Sequence, residues 1–181
     1  FYLFAGILGG AGASIVAYHM FSHVRTRVIA FLHPWSNIND SGYQITQSLF
    51  AIGTGGWFGL GIDQGDPTSI PYVEQDFIFS AVAEEMGVIF GICLILVCVS
   101  CFIVFMKIAM QLKEDFYRYI AVGISTIYIF QVFLTIGGGT RFIPLTGVTL
   151  PLVSYGGSSV LTTIIMFGII QGLYCIQSQE G

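Results

Sequence analysis

The stretch GVIFGICLILVCVSCFIVFM, residues 87–106, contains no charged side chain. A helix needs about 20 consecutive apolar residues to cross the hydrocarbon core of a bilayer, and this run has that length. Three acids lie just before it, Asp76, Glu84 and Glu85. The stretch predicts a transmembrane helix that has an acidic cluster at one end.

The composition supports the same class. Of 181 residues, 55% are hydrophobic and only 9% are charged, with a mean hydropathy of +0.82, whereas soluble domains have about 25% charged residues. A net charge of −4 and six Lys and Arg residues without a basic patch exclude a nucleic-acid partner. Of the four cysteines, Cys93, Cys98 and Cys101 lie in one apolar run with no interleaved His or acid, so we expect buried thiols and neither a zinc site nor a disulfide.

Four apolar segments predict an all-α polytopic membrane protein. The predicted transmembrane helices are residues 1–18, 77–106, 119–136 and 158–176. The short loop 107–118 carries Lys107, Lys113 and Arg118, which places it on the cytoplasmic side by the positive-inside rule. The long loop 19–76 and the loop 137–157 are then extracellular. Because the chain opens on FYLFAGILGG without a charged leader, we expect it to be part of a longer chain.

The long loop 19–76 is predicted to contain a short interfacial or re-entrant helix. Ile45, Leu49 and Ile52 fall on one helical face, opposite Gln44, Gln47 and Ser48. Glycines follow in GTGGWFGLG, which predicts a bend with close packing. This stretch lacks the glycine spacing and the lysine that phosphate-binding loops require.

The acidic cluster does not form an acid/base pair. On a continuous helix, Asp76 and Glu84 would lie about 12 Å apart, beyond the roughly 5–9.5 Å separation of paired glycosidase carboxylates. Taken alone, Asp76 fits a helix cap better than a catalytic group. Glu84 or Glu85 could face the protein interior, where an intramembrane acid is a functional candidate.

The last connection has an irregular backbone. Pro144, Pro151, Gly156 and Gly157 interrupt a plain helix, and Ser158 or Ser159 can cap the final span. A capped helix N-terminus presents free N–H groups that can bind an anion. Simple turn-and-cap chemistry explains the same residues equally well.

Four blocks of sequence carry a resemblance to a known family. RVIAFLHPW, GYQITQSLFAIGTGG, DFIFSAVAEEMG and TGVTLPLVSYGGSS resemble, in order, signatures of the SEDS family (shape, elongation, division and sporulation). The resemblance runs across nearly the whole chain. It implies that the four spans are the last part of a ten-span bundle whose other six spans are absent here.

The resemblance also implies an activity. SEDS proteins are peptidoglycan glycosyltransferases of the bacterial cytoplasmic membrane that polymerise lipid II on the extracellular face with a class B penicillin-binding protein. The aspartate of the DFIF motif, here Asp76, is the essential acid. Since a lipid diphosphate leaves as an anion, one general base and a cationic or metal clamp suffice.

The remaining site residues are expected from their charge and their position in the sequence. Arg25, Arg27, Arg141 or a divalent cation (Mg²⁺ or Mn²⁺) would offset the diphosphate charge. Further candidate substrate-binding residues come from the same blocks: Gln47, Ser154, Gly156, Gly157 and Ser158.

The sequence departs from the family pattern before Asp76, and two functions other than polymerisation are also compatible with it. The family typically has L-P-E-x-H-T-D before the aspartate, but Tyr72 and Glu74 hold the glutamate and histidine positions, and Leu60 replaces a common lysine. A lipid II flippase would depend on Glu84 or Glu85 more than on Asp76. A non-catalytic scaffold for a transpeptidase would use Asp76 only as a cap.

Overall fold

The computed structural model describes residues 2–38 and 42–180, and all regular structure in these ranges is helical. Phe1, the first residue of the first predicted span, lies outside them. The helices are α1 (Tyr2–Met20), α2 (Ser22–Leu32), α3 (Tyr43–Gly55), α4 (Ile78–Gln111), α5 (Asp115–Gly139) and α6 (Gly157–Glu180), with 3₁₀ turns at Pro34–Asn37 and Pro67–Ser69.

Three of these helices are long and apolar enough to cross a membrane. They are α4, α5 and residues Gly157–Cys175 of α6. The first predicted span, 1–18, corresponds to α1, which turns by 102° into α2 and qualifies only if the bent pair is counted as one span. The described chain therefore has three or four candidate spans, in agreement with the predicted class.

The helices extend beyond several of the predicted spans. Residues 77–106 extend to Gln111, 119–136 become Asp115–Gly139, and 158–176 become Gly157–Glu180. The predicted loop 107–118 shrinks to residues 112–114, and the loop 137–157 to residues 140–156. Lys107 and Arg118, which lie in the predicted loop, belong to α4 and α5, because long basic side chains can extend past the end of a spanning helix to the interface.

Aromatic and small side chains pack α4, α5 and α6 together. Phe105, Tyr128 and Phe167 meet edge to face, with ring centroids 4.8–5.9 Å apart, an arrangement that aromatic pairs favour. Ala109 and Ala121 are fully buried beside them. This core fixes the relative positions of the three helices that lead to the site.

Helix α4 is broken at Gly87, where a continuous helix was predicted. Gly87 has φ 85° and ψ 167°, a conformation that L side chains rarely adopt. The glycine-rich loop after α3 pairs with this break: the Leu60 and Gly61 amides donate to the Glu84 and Glu85 carbonyls at 2.9 Å, and the Val88 amide donates to the Gly56 carbonyl at 2.9 Å. Irregular backbone at membrane depth requires such replacement hydrogen bonds.

The glycines make this pairing sterically feasible. A Cβ atom at Gly87 would lie 2.4 Å from the Trp57 carbonyl oxygen, and one at Gly59 would lie 2.2 Å from the Glu85 carbonyl oxygen. The glycine-rich stretch is thus a close-packing segment, as the sequence indicates.

Helix α3 occupies the stretch where a short helix was predicted, but one residue of its predicted polar face is buried. Ser48 is fully buried; its hydroxyl donates to the Gly139 carbonyl at 2.7 Å and lies 2.6 Å from the Ser80 hydroxyl. Hydrogen bonding to two neighbouring helices offsets the cost of burying this hydroxyl. Ser48 therefore joins α3 to α4 and α5.

Candidate functional site

Asp76 lies at the end of a series of turns that lead into α4. Ile70 and Phe77, 2% and 0% exposed, anchor the two ends of this segment in the interior. Between them Tyr72 adopts φ 60°, and its carbonyl accepts from the amides of Gln75 and Asp76 at 3.0 and 3.2 Å. The apolar anchors and the turns hold Asp76 at the surface of the bundle.

Asp76 does not act as the cap of α4. The N-cap residue is Phe77, and no side chain makes a cap hydrogen bond there. Asp76 therefore does not make the hydrogen bond of a helix cap, the role that the sequence favours for it when it is taken alone.

The segment before Asp76 is clamped from two sides. On one side, α3 contributes the Tyr43 hydroxyl, which donates to the Ser69 carbonyl at 3.2 Å, and Gln44, whose amide lies 3.5 Å from the Pro71 carbonyl. On the other side, the Tyr155 amide donates to the Glu74 carbonyl at 2.8 Å.

Ser154 completes this second clamp. It is 4% exposed; its hydroxyl donates to the Gln75 carbonyl at 2.5 Å and accepts from the Leu150 amide at 2.8 Å. Because the hydroxyl both donates and accepts a hydrogen bond, it positions the backbone next to Asp76.

One cavity opens directly onto Asp76. We call it the Arg27 cavity; it has a volume of about 440 Å³ and is lined by Thr26, Arg27, Ala30, Gln44, Ile45, Tyr72, Gln75, Asp76 and Leu145. Asp76 is half-buried there. Desolvation raises the pKa of its carboxyl above the ordinary value of 3.8, and the nearby positive charge of Arg27 partly opposes this rise.

Gly147 lies against both charged groups. A Cβ atom on this residue would be 3.4 Å from Arg27 Nη2 and 3.5 Å from Asp76 Oδ2. The guanidinium also donates from Nη1 to the Leu145 carbonyl at 3.3 Å, which holds Arg27 beside this turn. Gly147 has φ 74°, so its backbone conformation favours glycine.

A second cavity lies on the other side of Gln75 and Gly147. We call it the α6 cavity; it has a volume of about 580 Å³ and is lined by Gln75, Gln131, Gly147, Val148, Thr149, Tyr155, Gly156, Ser158, Ser159 and Thr162. The first turn of α6 forms one wall. The Gln131 amide donates to the Thr149 carbonyl at 2.9 Å, and the Thr149 hydroxyl donates to Ser159 at 2.7 Å.

The other candidates from the SYGGSS block lie at this wall. Gly156 and Ser158 line the α6 cavity, and Gly157 is the first residue of α6. Because α6 begins at Gly157, Ser158 belongs to the first helical turn and does not precede it as a cap. The structure thus brings Arg27, Asp76, Gly156, Gly157 and Ser158 to one end of the bundle.

Among the described residues, five predicted residues line neither cavity: Ser154 and Gly157, which adjoin lining residues in the chain, and Arg25, Arg141 and Gln47. Arg25 is exposed, and its guanidinium lies 6.0 Å from the centre of the Tyr18 ring. Arg141 donates to the Phe31 carbonyl at 3.1 Å, near the end of α2. Gln47 does not line the Arg27 cavity, whereas Gln44, one turn earlier on α3, does.

The two glutamates of α4 face the loop and not Asp76. Glu84, 7% exposed, accepts from the Asp66 amide at 3.3 Å, and Glu85 accepts from the Asp63 amide at 3.4 Å. Within residues 2–38 and 42–180, no three His, Cys, Asp or Glu side chains are grouped so that they could hold a metal ion.

Sequence reasoning missed the residues that complete the cavities. Gln44, Gln75, Leu145 and Gly147 were not among the candidates, because each is unremarkable in sequence. The one available signal was the glycine in TGVTLP, between Thr146 and Val148, since an isolated glycine outside a helix often marks a special backbone conformation.

The chain is similar to known proteins over most of its length. The sequence model of the FtsW, RodA and SpoVE family, described as "Cell cycle protein", matches residues 1–179. "Peptidoglycan glycosyltransferase RodA" of Mycobacterium tuberculosis is 42% identical over 88% of this chain and 34% of the relative. "Stage V sporulation protein E" of Bacillus subtilis is 34% identical over 93% of this chain and 46% of the relative.

A solved structure shares the fold. One chain of a peptidoglycan synthase complex, solved in work on the coordination of polymerization and crosslinking, superimposes with a TM-score of 0.78 at 26% identity. The superimposed region covers 98% of this chain and 50% of the solved chain. The present chain therefore spans about a third to a half of the length of these relatives.

Proposed function

Because the chain belongs to the FtsW, RodA and SpoVE family of cell cycle proteins, we propose that it forms the catalytic end of a peptidoglycan glycosyltransferase that polymerises lipid II. In this proposal the whole protein is a ten-span bundle of the bacterial cytoplasmic membrane. The Asp76 end lies on the extracellular face, and the remaining spans complete the cavities.

The observation that carries the proposal is that Asp76 lines one of two adjoining cavities, which share the lining residue Gln75. The Asp76 carboxyl lines the Arg27 cavity, and the α6 cavity begins on the other side of Gln75 and Gly147. Polymerisation joins two lipid-linked substrates, so two adjoining sites are needed. A base placed where they meet can serve the bond that forms between them.

Asp76 is suited to the role of general base. Burial raises the pKa of its carboxyl, which makes the carboxylate a stronger base than an exposed aspartate. The acceptor sugar hydroxyl transfers its proton to Asp76, and its oxygen bonds to the anomeric carbon of the donor. The bond from that carbon to the diphosphate breaks, and the lipid diphosphate leaves as an anion that needs no proton from a general acid.

Each lipid II molecule brings a diphosphate, and each cavity offers one group for it. Arg27 supplies a positive charge in the Arg27 cavity. In the α6 cavity, the first turn of α6 presents backbone N–H groups beside Gly156 and Ser158, an arrangement that favours anions. We place the acceptor in the Arg27 cavity, where Asp76 lies, and the donor in the α6 cavity.

The proposal includes a divalent cation, Mg²⁺ or Mn²⁺, only as a companion of the substrate diphosphate. Mg²⁺ is often bound by one or two carboxylates together with substrate phosphates. Asp76 is the one carboxylate among the described residues that line the two cavities. The protein residues therefore fit a cation that arrives with the diphosphate, which it would partly neutralise.

A class B penicillin-binding protein is the proposed partner. The support is the solved relative, which is one chain of a peptidoglycan synthase complex. Both cavities are lined by residues of this chain.

The test is a product assay with the purified full-length protein and its transpeptidase partner, supplied with lipid II in sealed vesicles. Glycan strands are the expected product. Movement of the headgroup across the bilayer without strands would instead establish a transporter. Partner binding without either reaction would establish a scaffold.

A further inference from the structure

The loop between α3 and the break in α4 presents four large apolar side chains outward. Trp57, Phe58, Leu60 and Ile62 are 68%, 84%, 46% and 68% exposed. We call residues 57–62 the apolar tip. Clusters of exposed apolar side chains usually mark a contact surface, and neither the cavities nor the proposed chemistry uses this one.

The position of the apolar tip along α4 is fixed by backbone hydrogen bonds. The Leu60 amide donates to the Glu84 carbonyl at 2.9 Å, and the Ile89 amide donates to the Trp57 carbonyl at 3.3 Å. The tip therefore lies at the level of Gly87, where the helix is broken. It cannot shift along α4 without losing these bonds.

The length of α4 places that level at the edge of the hydrocarbon core. Residues 88–111 extend about 36 Å at a rise of about 1.5 Å per residue, slightly more than the roughly 30 Å of the core. If these residues cross the membrane, Gly87 lies at the boundary between acyl chains and headgroups on the Asp76 side. The apolar tip then lies at the same boundary.

The surroundings of the tip match such a boundary on both sides. Along α4, the exposed apolar residues Ile89 and Phe90 continue its surface toward the membrane centre, and the exposed Met86 lies beside Gly87 at the same level as the tip. Directly after Ile62 the chain turns acidic and polar with Asp63, and the Glu85 carboxylate accepts from the Asp63 amide at 3.4 Å. Tryptophan is enriched at this level of membranes because one end of its ring system is polar.

We infer that the apolar tip inserts into the lipid leaflet on the Asp76 side and acts as a membrane anchor for α3 and the segment that carries Asp76. The lipid surface, and not another part of the protein, is the partner. The anchor would hold the two cavities at the height of the headgroup layer. This inference concerns the tip alone and does not rest on the proposed reaction.

The test is site-directed spin labelling of the full-length protein in lipid nanodiscs, in a background whose native cysteines are replaced. A label at Phe58→Cys is compared with a lipid-facing control, Ile103→Cys within the apolar part of α4, and a polar control, Gln64→Cys in the same loop. Ile103 and Gln64 are both exposed. Accessibility to oxygen, which concentrates in lipid, and to a water-soluble nickel chelate is measured at each site.

We expect the Phe58 label to be reached by oxygen and protected from the nickel chelate, as at Ile103, while the Gln64 label shows the opposite. A Phe58 label that the chelate reaches as readily as Gln64 would place the tip in water and overturn the inference. Protection from both reagents would show that other parts of the protein cover the tip, which also overturns it. Leu60→Cys repeats the measurement if the Phe58 variant is poorly expressed.

Discussion

The Ser154 hydroxyl donates a 2.5 Å hydrogen bond to the carbonyl of Gln75, the residue immediately before Asp76. The same oxygen accepts from the Leu150 amide. One buried side chain thus ties the connection between α5 and α6 to the segment that carries the proposed base. The position of Asp76 depends on a residue far away in sequence.

Replacing Ser154 by alanine is expected to reduce both stability and activity. The change leaves the buried Leu150 amide without its partner and removes the donor to the Gln75 carbonyl, at a cost of about 1–3 kcal/mol in the free energy of unfolding. Thermal unfolding in nanodiscs and polymerisation rates check this. Ser100→Ala is the matched control, because Ser100 is exposed and donates only to the Val97 carbonyl of its own helix. Equal effects of the two variants would refute the clamp.

Replacing Gly147 by alanine is expected to lower kcat strongly. The Cβ atom would be placed 3.4–3.5 Å from Arg27 and Asp76, and the backbone at φ 74° strains any L side chain. Gly123→Ala serves as the control, since a Cβ atom at Gly123 in α5 has no neighbour within 4 Å. The account predicts normal kinetics for the control, and an unimpaired Gly147→Ala enzyme would contradict the proposed geometry.

Arg27 and Arg25 are expected to differ in function although they are two residues apart. Arg27→Ala removes a charge that faces the substrate, so KM for lipid II should rise about 10-fold or more, as for the loss of a hydrogen bond to a charged group. It also removes the charge that lowers the pKa of Asp76, so the acid limb of the pH–rate profile should move to higher pH. Arg25→Ala should do neither. A shift of the acid limb to lower pH in Arg27→Ala would contradict the assignment.

Asp76→Asn is expected to stabilise the protein at neutral pH. Because desolvation raises the pKa of Asp76 in the folded state, the folded protein holds this proton at pH values where the unfolded chain has released it. The wild type therefore loses stability as pH rises from the ordinary aspartate value to the raised one. Asparagine avoids this loss, so its Tm should exceed that of the wild type at pH 7, with a smaller difference below the ordinary value. A lower Tm at pH 7 would show that the carboxylate stabilises the fold.

The helical class and the short helix before the glycine-rich bend could be predicted because they follow from local sequence. Apolar runs of spanning length predicted α4, α5 and α6, and the helical spacing of Ile45, Leu49 and Ile52 predicted α3. The break at Gly87 could not be predicted, because it exists only where the glycine-rich loop supplies replacement hydrogen bonds from about 30 residues away in sequence. In a run that is otherwise apolar, one glycine can equally mark helix packing.

The site was predictable only where one residue carried a motif. Asp76 came from the resemblance of DFIF, whereas local reasoning favoured a cap. Arg27 could be named only as one of three arginines, because which of them reaches Asp76 is set by the turn at Gly147. For the same reason the sequence pointed to Gln47 and not to Gln44. Both glutamines lie on the surface of α3, and only tertiary packing determines that Gln44 lines the cavity.

The central claim, that Asp76 is the general base, is tested most directly by lipid II polymerisation with the full-length protein and its partner, comparing wild type with Asp76→Asn. Asp63→Asn is the control, since Asp63 is an exposed acid of the same loop that lines neither cavity among the described residues. Loss of a general base predicts a fall in rate of about 10²- to 10⁴-fold with the complex intact, and an unchanged rate for the control. Undiminished glycan strands from Asp76→Asn would contradict the account.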